Sequence, residues 1–322
     1  MADLGHRETD KKLKTLEKQL NTVYKNAYET VKGKLANHLA KFAKKDLEMK
    51  AKVKAGEVSE GYYHIWRYEQ TVQTKAFQSL RDTLATDLTN ASKIAAGMIN
   101  NHTEDVYCLN MNYGTYEVES GTRIDTSYAL YDHATIENLM KDDPQIIPQV
   151  NPNIPKTELW NRQNITSAIT SGLLSGDTIP QIASRLEGVT NMNLAQAVRA
   201  ARTYTTAAEN KGRVDSYERA EKMGIQMEQQ WIATVDTRTR PSHIAMDHQK
   251  IKVGGKFPNG CRYPGDPAAP PGERWNCRCT LIAVIKDFEY EGDARAMNLP
   301  EGITFQEWKS WGSRKTWAST SQ

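Results

Sequence analysis

Residues 9–39 read TDKKLKTLEKQLNTVYKNAYETVKGKLANHL, and this stretch decides the fold class of the chain. Its apolar residues recur at steps of three and four, first as Leu13, Leu16, Leu20, Val23 and Ala27 and then as Val31, Leu35 and Leu39. Lysines occupy the opposite face. This period is typical of an amphipathic helix that packs against another helix. The sequence therefore predicts one long helix at the N-terminus.

The pattern continues beyond this helix. Gly56 and Gly61 predict a turn, and the apolar residues between Tyr62 and Met98 predict a second long helix. Two long antiparallel helices can bury their apolar stripes against each other. Residues 1–100 are therefore predicted to form a basic long-helix region, arranged as a hairpin or an elongated bundle.

The middle of the chain has a weaker pattern. Apolar residues alternate at Tyr107, Leu109, Met111 and Tyr113, and again at Tyr116 and Val118 beyond Gly114. This alternation predicts a short β-hairpin within a mixed segment, residues 101–143, which ends with a short helix near 134–140. Residues 144–156 contain four prolines, and that spacing excludes a continuous helix. We expect an extended connector there, and we place the main domain boundary at this connector.

The C-terminal half changes period. Residues 157–226 predict helices over 158–174, 178–187 and 193–224, the second of them opened by a capping box at Thr178. Residues 227–290 predict strands over 228–235 and 280–285 with a hairpin over 250–257, and residues 291–322 form a tail. The predicted fold class is mainly α with a small α+β C-terminal module and a short antiparallel sheet.

Composition narrows the class of protein. The chain has 322 residues, a mass of 36.3 kDa and a mean hydropathy of −0.67. It has no apolar run of the ~18–20 residues that a membrane-spanning helix needs, and no signal-peptide pattern. Its four cysteines are too few for a disulfide-stapled secreted scaffold. We expect a soluble protein made in a reducing cytoplasm, with no membrane partner during assembly.

Charge is unevenly distributed. Residues 1–55 hold 14 Lys and Arg against 7 Asp and Glu, so the rest of the chain is mildly acidic although the whole chain carries +3. A basic arm suggests an anionic partner such as DNA, although such lysines can also be the solvated face of a helix. The candidate DNA-facing residues are Lys11, Lys14, Lys18, Lys25, Lys32, Lys41, Lys44 and Lys45.

Known nucleotide and hydrolase motifs are missing from the sequence. It contains neither Gly-x-x-x-x-Gly-Lys-Ser/Thr nor Gly-x-Gly-x-x-Gly, and neither Gly-x-Ser-x-Gly nor His-Glu-x-x-His. We therefore expect no cofactor and no enzymatic activity.

The densest chemical cluster lies between Trp231 and Cys279. Cys261, Cys277, Cys279 and His243 could bind a structural zinc ion tetrahedrally, although the Cys-x-Cys spacing is tighter than in most zinc sites. Alternatively, the two cysteines of that pair are small buried residues at the start of a strand, and a disulfide with Cys261 is the least favoured option. The rival functional hypothesis is a zinc-dependent nuclease or transferase that uses this cluster.

The corner between Asp236 and His243 permits a catalytic or a structural interpretation. We favour the structural one, in which Asp236 ends a strand, Thr239 caps a short helix that carries Pro241, and the arginines pair locally. The tail tryptophans, Trp308, Trp311 and Trp317, are expected either to anchor another chain or to fold back onto their own.

With these residues in view, the sequence resembles the minor head proteins of tailed bacteriophages, the phage Mu F-like head-morphogenesis family, in the form found in phages of Gram-positive bacteria. The resemblance rests on these segments: Ser127-Tyr-Ala-Leu-Tyr-Asp132, the proline connector after Lys141-Asp-Asp-Pro144, Trp160-Asn161, Gly172-Leu-Leu-Ser-Gly176, Ala201-Arg-Thr-Tyr-Thr-Thr-Ala-Ala-Glu-Asn-Lys-Gly-Arg213, Trp231 to Arg240 with His243, Tyr263-Pro-Gly-Asp266 and Asn276-Cys-Arg-Cys-Thr280. The matching residues that we single out are Arg202, Thr203, Asn210, Gly212, Arg213, Trp231, Asp236, Arg238, Thr239, Arg240, His243, Asn276, Cys277, Arg278 and Cys279. One departure is His248, which stands where the family usually has glycine, so the turn there is expected to differ.

The resemblance implies a structural virion protein, present in few copies. It implies a place inside the head near the portal vertex, with the host cytoplasm as the site of assembly. The implied partners are the portal protein, a major capsid or scaffolding protein, and packaged double-stranded DNA bound without sequence preference. The implied roles are head assembly and the packaging or delivery of the genome.

Overall fold

The computed structural model describes residues 3–286 and 299–311. Its helices are α1 (Leu4–Lys54), α2 (Glu60–Val72), α3 (Lys75–Thr122), α4 (His133–Asp142), α5 (Ile154–Leu174), α6 (Ile179–Lys222), α7 (Pro241–Ile244), α8 (Pro271–Arg274) and α9 (Phe305–Ser310). Its strands are β1 (Met227–Ile232), β2 (Lys250–Lys252) and β3 (Thr280–Ile285). The predicted fold class is confirmed: the described part is mainly helical with a small antiparallel sheet near its C-terminal end.

The chain divides into two compact units that interleave along the sequence. One unit comprises residues 1–16, 98–150 and 199–322, and the other comprises residues 17–97 and 151–198. The helices α1, α3 and α6 therefore contribute residues to both.

The unit of residues 17–97 and 151–198 is a helical bundle. Its core is built from one apolar stripe on each of α1, α3, α5 and α6, with Val31, Leu35, Phe77, Leu84, Ile165, Ile169 and Leu186 among the buried members. A polar link lies inside this core, because buried Asn161 donates to the Thr89 hydroxyl at 3.0 Å and accepts from Asn193 at 2.9 Å. The apolar period of the first helix is thus the seam of this bundle.

The other unit contains the sheet, whose strand order is β2-β1-β3 with both pairings antiparallel. Trp231 on β1 lies opposite Leu281 on β3, and both side chains are fully buried. They belong to a small apolar cluster that also includes Phe257, Tyr263, Cys261, Cys277 and Cys279. Trp231, Phe257 and Tyr263 are thus the aromatic core of this module, whereas Trp275 is only partly buried and lies outside the cluster.

The predicted hairpin over 107–118 is wrong, because α3 continues through it to Thr122. Val106, Tyr107, Asn110, Met111 and Tyr113 are all buried. A helix that is buried on almost every side loses the 3.6-residue period by which a sequence reveals it.

The predicted break between residues 187 and 193 is also wrong, because α6 runs without interruption from Ile179 to Lys222. Asn193 does not cap a new helix. Its side chain donates to the Val189 carbonyl within the helix and to Asn161, and both bonds are buried. Conversely, the predicted second helix is divided, with Thr74 accepting from the Phe77 amide at the start of α3.

Two strand predictions need correction. The predicted hairpin over 250–257 does not form, because β2 pairs with β1 and the chain turns after Lys252 at Gly254, whose φ is 72°. The first strand ends at Ile232, so Val235 is 65% exposed instead of facing the core. The predicted strand over 280–285 is confirmed.

Candidate functional site

The motif on α6 is a row of polar side chains that hold an extended segment of backbone. Thr203 accepts a hydrogen bond from the Asn276 amide at 3.1 Å, and the Thr206 hydroxyl donates to the Cys277 carbonyl at 2.6 Å. Residues three and four apart lie on one face of a helix, so this spacing aligns the two side chains.

Asn210 continues this row by one further turn. Its amide nitrogen donates to the Cys279 carbonyl at 3.2 Å, and its amide oxygen accepts from the Leu281 amide at 2.9 Å. Both contacts are buried, so the Asn210 side chain satisfies two backbone groups that a neighbouring strand would otherwise bind. This explains why the motif has an amide side chain here.

Arg213 completes the row as a fully buried cation. It donates to the Leu281 carbonyl at 2.5 Å, to Asn110 at 3.1 Å, and to both carboxylate oxygens of Asp3 at 2.7 and 2.8 Å. A buried charge needs such partners. Arg213 therefore joins the N-terminal residues, α3, α6 and β3 within one unit.

Gly212 has a packing role. A Cβ atom there would lie 2.7 Å from the Tyr107 carbonyl oxygen and 3.0 Å from the Met111 amide nitrogen. These are backbone atoms of α3, so glycine is required for the close approach of the two helices. Asn210, Gly212 and Arg213 thus position the chain.

The corner after β1 is held by an ion pair. Arg278 donates to both oxygens of Asp236 at 2.6 and 2.7 Å, and these bonds lower the pKa of that carboxyl group. The Arg238 amide donates to the same carboxylate at 2.8 Å. Arg240 donates to the Trp275 carbonyl. This is the local pairing that we predicted for these arginines.

The predicted cap at Thr239 is wrong. The N-cap of α7 is Arg240, which makes no side-chain capping bond, and the Thr239 hydroxyl donates instead to the Thr234 carbonyl. The Asp236 amide donates back to Thr239 at 3.2 Å. Thr239 therefore closes the turn that precedes the helix.

Three of the four predicted zinc ligands come together. His243, Cys277 and Cys279 are buried, and the Nδ1 atom of His243 lies 3.5 Å from each of the two sulfur atoms. Their ligand atoms all lie within 4.8 Å of one another, and within the described ranges this is the one such group of three His, Cys or acidic residues. Hydrogen bonding by the Cys277 thiol, and to a smaller extent by His243, lowers the pKa of Cys279.

Cys261 is not part of this group. It is fully buried in the same apolar cluster, and burial raises the pKa of its thiol to about 12. The structure thus separates Cys261 from the three residues with which the sequence grouped it.

A small pocket opens beside this trio. It has room for about one water-sized particle and is lined by Thr234, Arg238, Thr239, Arg240, His243, Asn276, Cys277, Arg278 and Cys279. All nine residues come from the two predicted motif segments. The side chains that the sequence grouped by resemblance are therefore neighbours in space.

Sequence reasoning missed Glu273 and Glu209. A Glu273 oxygen lies 3.1 Å from the Nε2 atom of His243, and both its oxygens accept from Ser242. Glu209 is buried and accepts from the Thr280 hydroxyl at 2.7 Å, and an oxygen of its carboxylate lies 2.8 Å from the Nδ1 atom of His6. No local pattern marks either residue, because their partners lie tens of residues away in the sequence.

The lysines of α1 are all exposed at the eight predicted positions. In the bundle unit, Lys18, Lys25 and Lys32 follow one another at seven-residue steps, which rotate by only about 20° on a helix and so keep one face. Lys41, Lys44 and Lys45 lie about 90° or more away from that face by the same geometry. Lys11 and Lys32 have acidic neighbours, Glu8 at 2.6 Å and Glu29 at 3.5 Å.

The described part of the tail, residues 299–311, folds back onto its own unit. Trp308 is fully buried and donates to Glu119 at 2.8 Å, and Trp311 packs beside it. Of the two expectations for the tail tryptophans, folding back is the correct one for Trp308. Trp317 lies outside the described residues.

The backbone of His248 is left-handed, with φ of 60°, a conformation that favours glycine. Its amide donates to the Trp231 carbonyl at 2.8 Å. Glycine adopts such a left-handed backbone readily, and glycine is the residue that the family usually has here.

The sequence that forms this site matches the sequences of known proteins. Residues 163–282 match the family model for Phage Mu protein F like protein. The chain is 27% identical over 295 residues to the minor head protein GP7 of Bacillus phage SPP1, covering 89% of this chain and 87% of that protein. The predicted resemblance to phage minor head proteins of the Mu F-like kind is thereby confirmed.

A second relative is named as an enzyme. The chain is 29% identical over 201 residues to the NAD(+)–arginine ADP-ribosyltransferase EFV of Enterococcus faecalis, covering 60% of this chain and 40% of that protein. The chain thus spans less than half the length of this relative. No solved structure matches the chain. Among the described helices, none combines the length and the apolar character that crossing a bilayer requires.

Proposed function

We propose that this chain is a structural minor head protein of a tailed phage, which lies inside the capsid near the portal vertex and acts in head assembly and in packaging or delivery of the genome. Its partners in this proposal are the portal protein, a major capsid or scaffolding protein, and packaged DNA. The basic face of α1 contacts the DNA.

The observation that carries the proposal is the near full-length correspondence to a minor head protein. The alignment with the SPP1 protein covers 89% of this chain and 87% of that one. If the two proteins shared only one module, much of at least one sequence would lie outside the alignment. The correspondence therefore extends beyond the segment matched by the Mu F-like family model, residues 163–282.

The contacts of the motif residues favour a structural role. Thr203, Asn210 and Arg213 each bond to backbone atoms between Asn276 and Leu281. Residues whose bonding capacity serves the fold are not available to bind a substrate. Such buried and satisfied polar bonds make this part of the fold rigid.

A second candidate function is a zinc-dependent nuclease or transferase, and the pocket beside His243, Cys277 and Cys279 is the observation that favours it. The room for about one water-sized particle argues against a substrate-binding cleft. Incubation of the zinc-supplemented full chain with DNA, and separately with NAD and an acceptor protein, tests this candidate. Turnover that Cys277→Ser abolishes in a folded protein would favour it over the structural role.

The DNA contact is tested by the salt dependence of binding. Binding through lysine–phosphate contacts makes log affinity fall with log salt by about 0.9 for each phosphate neutralised. We expect the full chain to bind duplex DNA without sequence preference. The triple change Lys18→Gln, Lys25→Gln and Lys32→Gln should then reduce the slope by about 2 to 3.

A matched control removes the same charge elsewhere in the same unit. Lys75, Lys93 and Lys156 are also exposed, and their change to Gln should leave the slope unchanged. Equal effects of the two triple variants would show that net charge, and not this face of α1, governs binding. A slope near zero for the unmodified chain would remove the DNA role.

The portal contact is tested by co-expression with the portal protein of the same phage. We expect the chain to co-purify with the portal ring at a fixed ratio. Failure to co-purify, combined with retention in assembled heads, would assign the chain to the capsid shell instead.

A further inference from the structure

We propose that His243, Cys277 and Cys279 bind a zinc ion through three protein ligands, with the fourth coordination position facing the adjoining pocket. This inference concerns a metal site and is independent of the position of the chain within the head. It differs from the four-ligand set predicted from the sequence, because Cys261 takes no part.

The distances fit a tetrahedral zinc ion. Zinc lies about 2.3 Å from a thiolate sulfur and about 2.0–2.1 Å from a histidine nitrogen, so a tetrahedral angle separates these two ligand atoms by about 3.6 Å. The Nδ1 atom of His243 lies 3.5 Å from both sulfur atoms. The histidine nitrogen therefore already has the spacing from both sulfurs that coordination requires, and the two sulfurs lie within 4.8 Å of each other.

The second nitrogen of His243 has the setting of a metal-bound histidine. A Glu273 carboxylate oxygen lies 3.1 Å from Nε2 as a charged contact that does not have hydrogen-bond geometry, and Ser242 donates to both oxygens of that carboxylate at 3.1 and 3.0 Å. The negative charge favours the tautomer with its proton on Nε2, which leaves the lone pair of Nδ1 facing the two sulfurs. Metal-binding histidines in proteins commonly have such a carboxylate behind them.

The two cysteines are held in place by their backbone. They are two residues apart in an extended segment, so their side chains point to the same side. Thr206 binds the carbonyl of Cys277, and Asn210 binds the carbonyl of Cys279. The sulfur atoms are thus positioned by bonds that do not involve the metal, as a preorganised site needs.

Local charge is compatible with a divalent cation. Two thiolates would cancel the charge of the ion, and their protons would be released on binding. Arg278 in the pocket wall is already paired with Asp236 at 2.6 Å, and the Arg238 guanidinium lies 3.6 Å from the same carboxylate. Arg240 is bound to the Trp275 carbonyl. The arginines of the pocket wall are therefore engaged with other groups.

The pocket supplies the fourth ligand. It touches all three proposed ligands and holds about one water-sized particle. We expect a water molecule or a small anion to complete the tetrahedron there. A site with three protein ligands and one open position differs from closed structural sites, which have four protein ligands.

The test uses the full chain, purified under reducing conditions and supplemented with zinc, and then freed of unbound metal. Elemental analysis should find about one zinc per chain, and X-ray absorption should show two sulfurs at about 2.3 Å with nitrogen or oxygen at about 2.0–2.1 Å. Sub-stoichiometric zinc would overturn the proposal. A first shell with three sulfurs would also overturn it, because Cys261 would then be a ligand.

Variants identify the ligands. Cys277→Ser should lose bound zinc, whereas Cys261→Ser and Cys108→Ser should keep it, since both are buried cysteines outside the trio. Equal loss in Cys261→Ser and Cys277→Ser would contradict the three-ligand site. If Cys277→Ser does not fold, the absorption spectrum of the unmodified chain still decides the sulfur count. An intact mass two hydrogens low under reducing conditions, with the disulfide mapped to Cys277 and Cys279, would replace the metal site by a disulfide.

Discussion

The close approach of α6 to α3 at Gly212 leads to a quantitative prediction. In Gly212→Ala the new Cβ atom would lie 2.7 Å from the Tyr107 carbonyl oxygen and 3.0 Å from the Met111 amide nitrogen. Neither atom belongs to a flexible side chain, so the two helices must separate by roughly 0.5 Å or more, and such a gap loses a quarter or more of each dispersion contact.

The cost can be estimated from two opposing effects. Overpacking of this kind costs about 1–3 kcal/mol, and the separation also strains the 2.6 Å bond between the Tyr107 hydroxyl and Asp215, which joins the same two helices. Alanine gains about 1 kcal/mol over glycine as a helix former. We expect Gly212→Ala to lower the free energy of unfolding by about 2 kcal/mol, since the expected cost lies near the upper end of the overpacking range.

Gly188 provides a matched control on the same helix. It is exposed within α6, and a Cβ atom there would meet no neighbour within 4 Å. Gly188→Ala should therefore raise stability by about 0.5–1 kcal/mol, the opposite sign. Thermal unfolding followed by circular dichroism measures both, and 2 kcal/mol corresponds to a shift of roughly 4–8 °C for a unit of this size.

The two variants together test the packing argument. An unfolding midpoint for Gly212→Ala equal to or above that of the unmodified chain would refute the claimed close approach of α3 and α6. Equal destabilisation by Gly188→Ala would refute it as well, because the cost would then arise from substitution in the helix and not from the contact.

Three further predictions rest on buried contacts. The carboxylate of Glu209 raises the pKa of His6 to about 9. This pair should therefore stabilise the fold fully below about pH 6.5, the ordinary histidine value, and lose that stabilisation as the pH rises through about 9. The urea midpoint should fall across this pH range, and His6→Gln should make the fall smaller. Asn210→Ala should cost about 2–5 kcal/mol in urea unfolding, because it leaves the Leu281 amide and a facing carbonyl buried without partners; a cost below 1 kcal/mol would contradict the role assigned to this side chain. Trp308→Ala should cost about 3–5 kcal/mol and be visible as a lower thermal midpoint, whereas an unchanged midpoint would show that the tail does not dock on its own unit.

Much of the fold follows from local pattern. The stripe of α1 is correct in its register at Leu16, Leu20, Val31, Leu35 and Leu39, all of which are buried. It is wrong at one position, because Tyr24 and not Val23 is the buried member of that turn. A tyrosine can place its ring inside and its hydroxyl at the edge, here against Ser92 at 3.2 Å, so hydropathy alone underrates it.

The candidate site was predictable in part. Spacing and residue type brought His243, Cys277 and Cys279 together, and the structure agrees. The same reasoning added Cys261, because residue type and nearness in sequence do not reveal which sulfur points into the cluster. Glu273 was missed because its role depends only on its distance from His243 in the folded chain.

The sequence by itself determined the features that arise within a few residues. Proline spacing kept residues 144–153 out of a helix, although α5 already begins at Ile154 inside the predicted connector 144–156. The Cys-x-Cys spacing put two sulfurs on one side of an extended segment, and the lysines of α1 stayed exposed on their helix. Tertiary structure alone decided whether residues 107–113 form a helix or a hairpin, and which carbonyls Thr206 and Asn210 bind. The physical reason is that these outcomes depend on burial and on contacts with partners about seventy or more residues away. The pattern of neighbouring residues carries no information about the energy of such contacts.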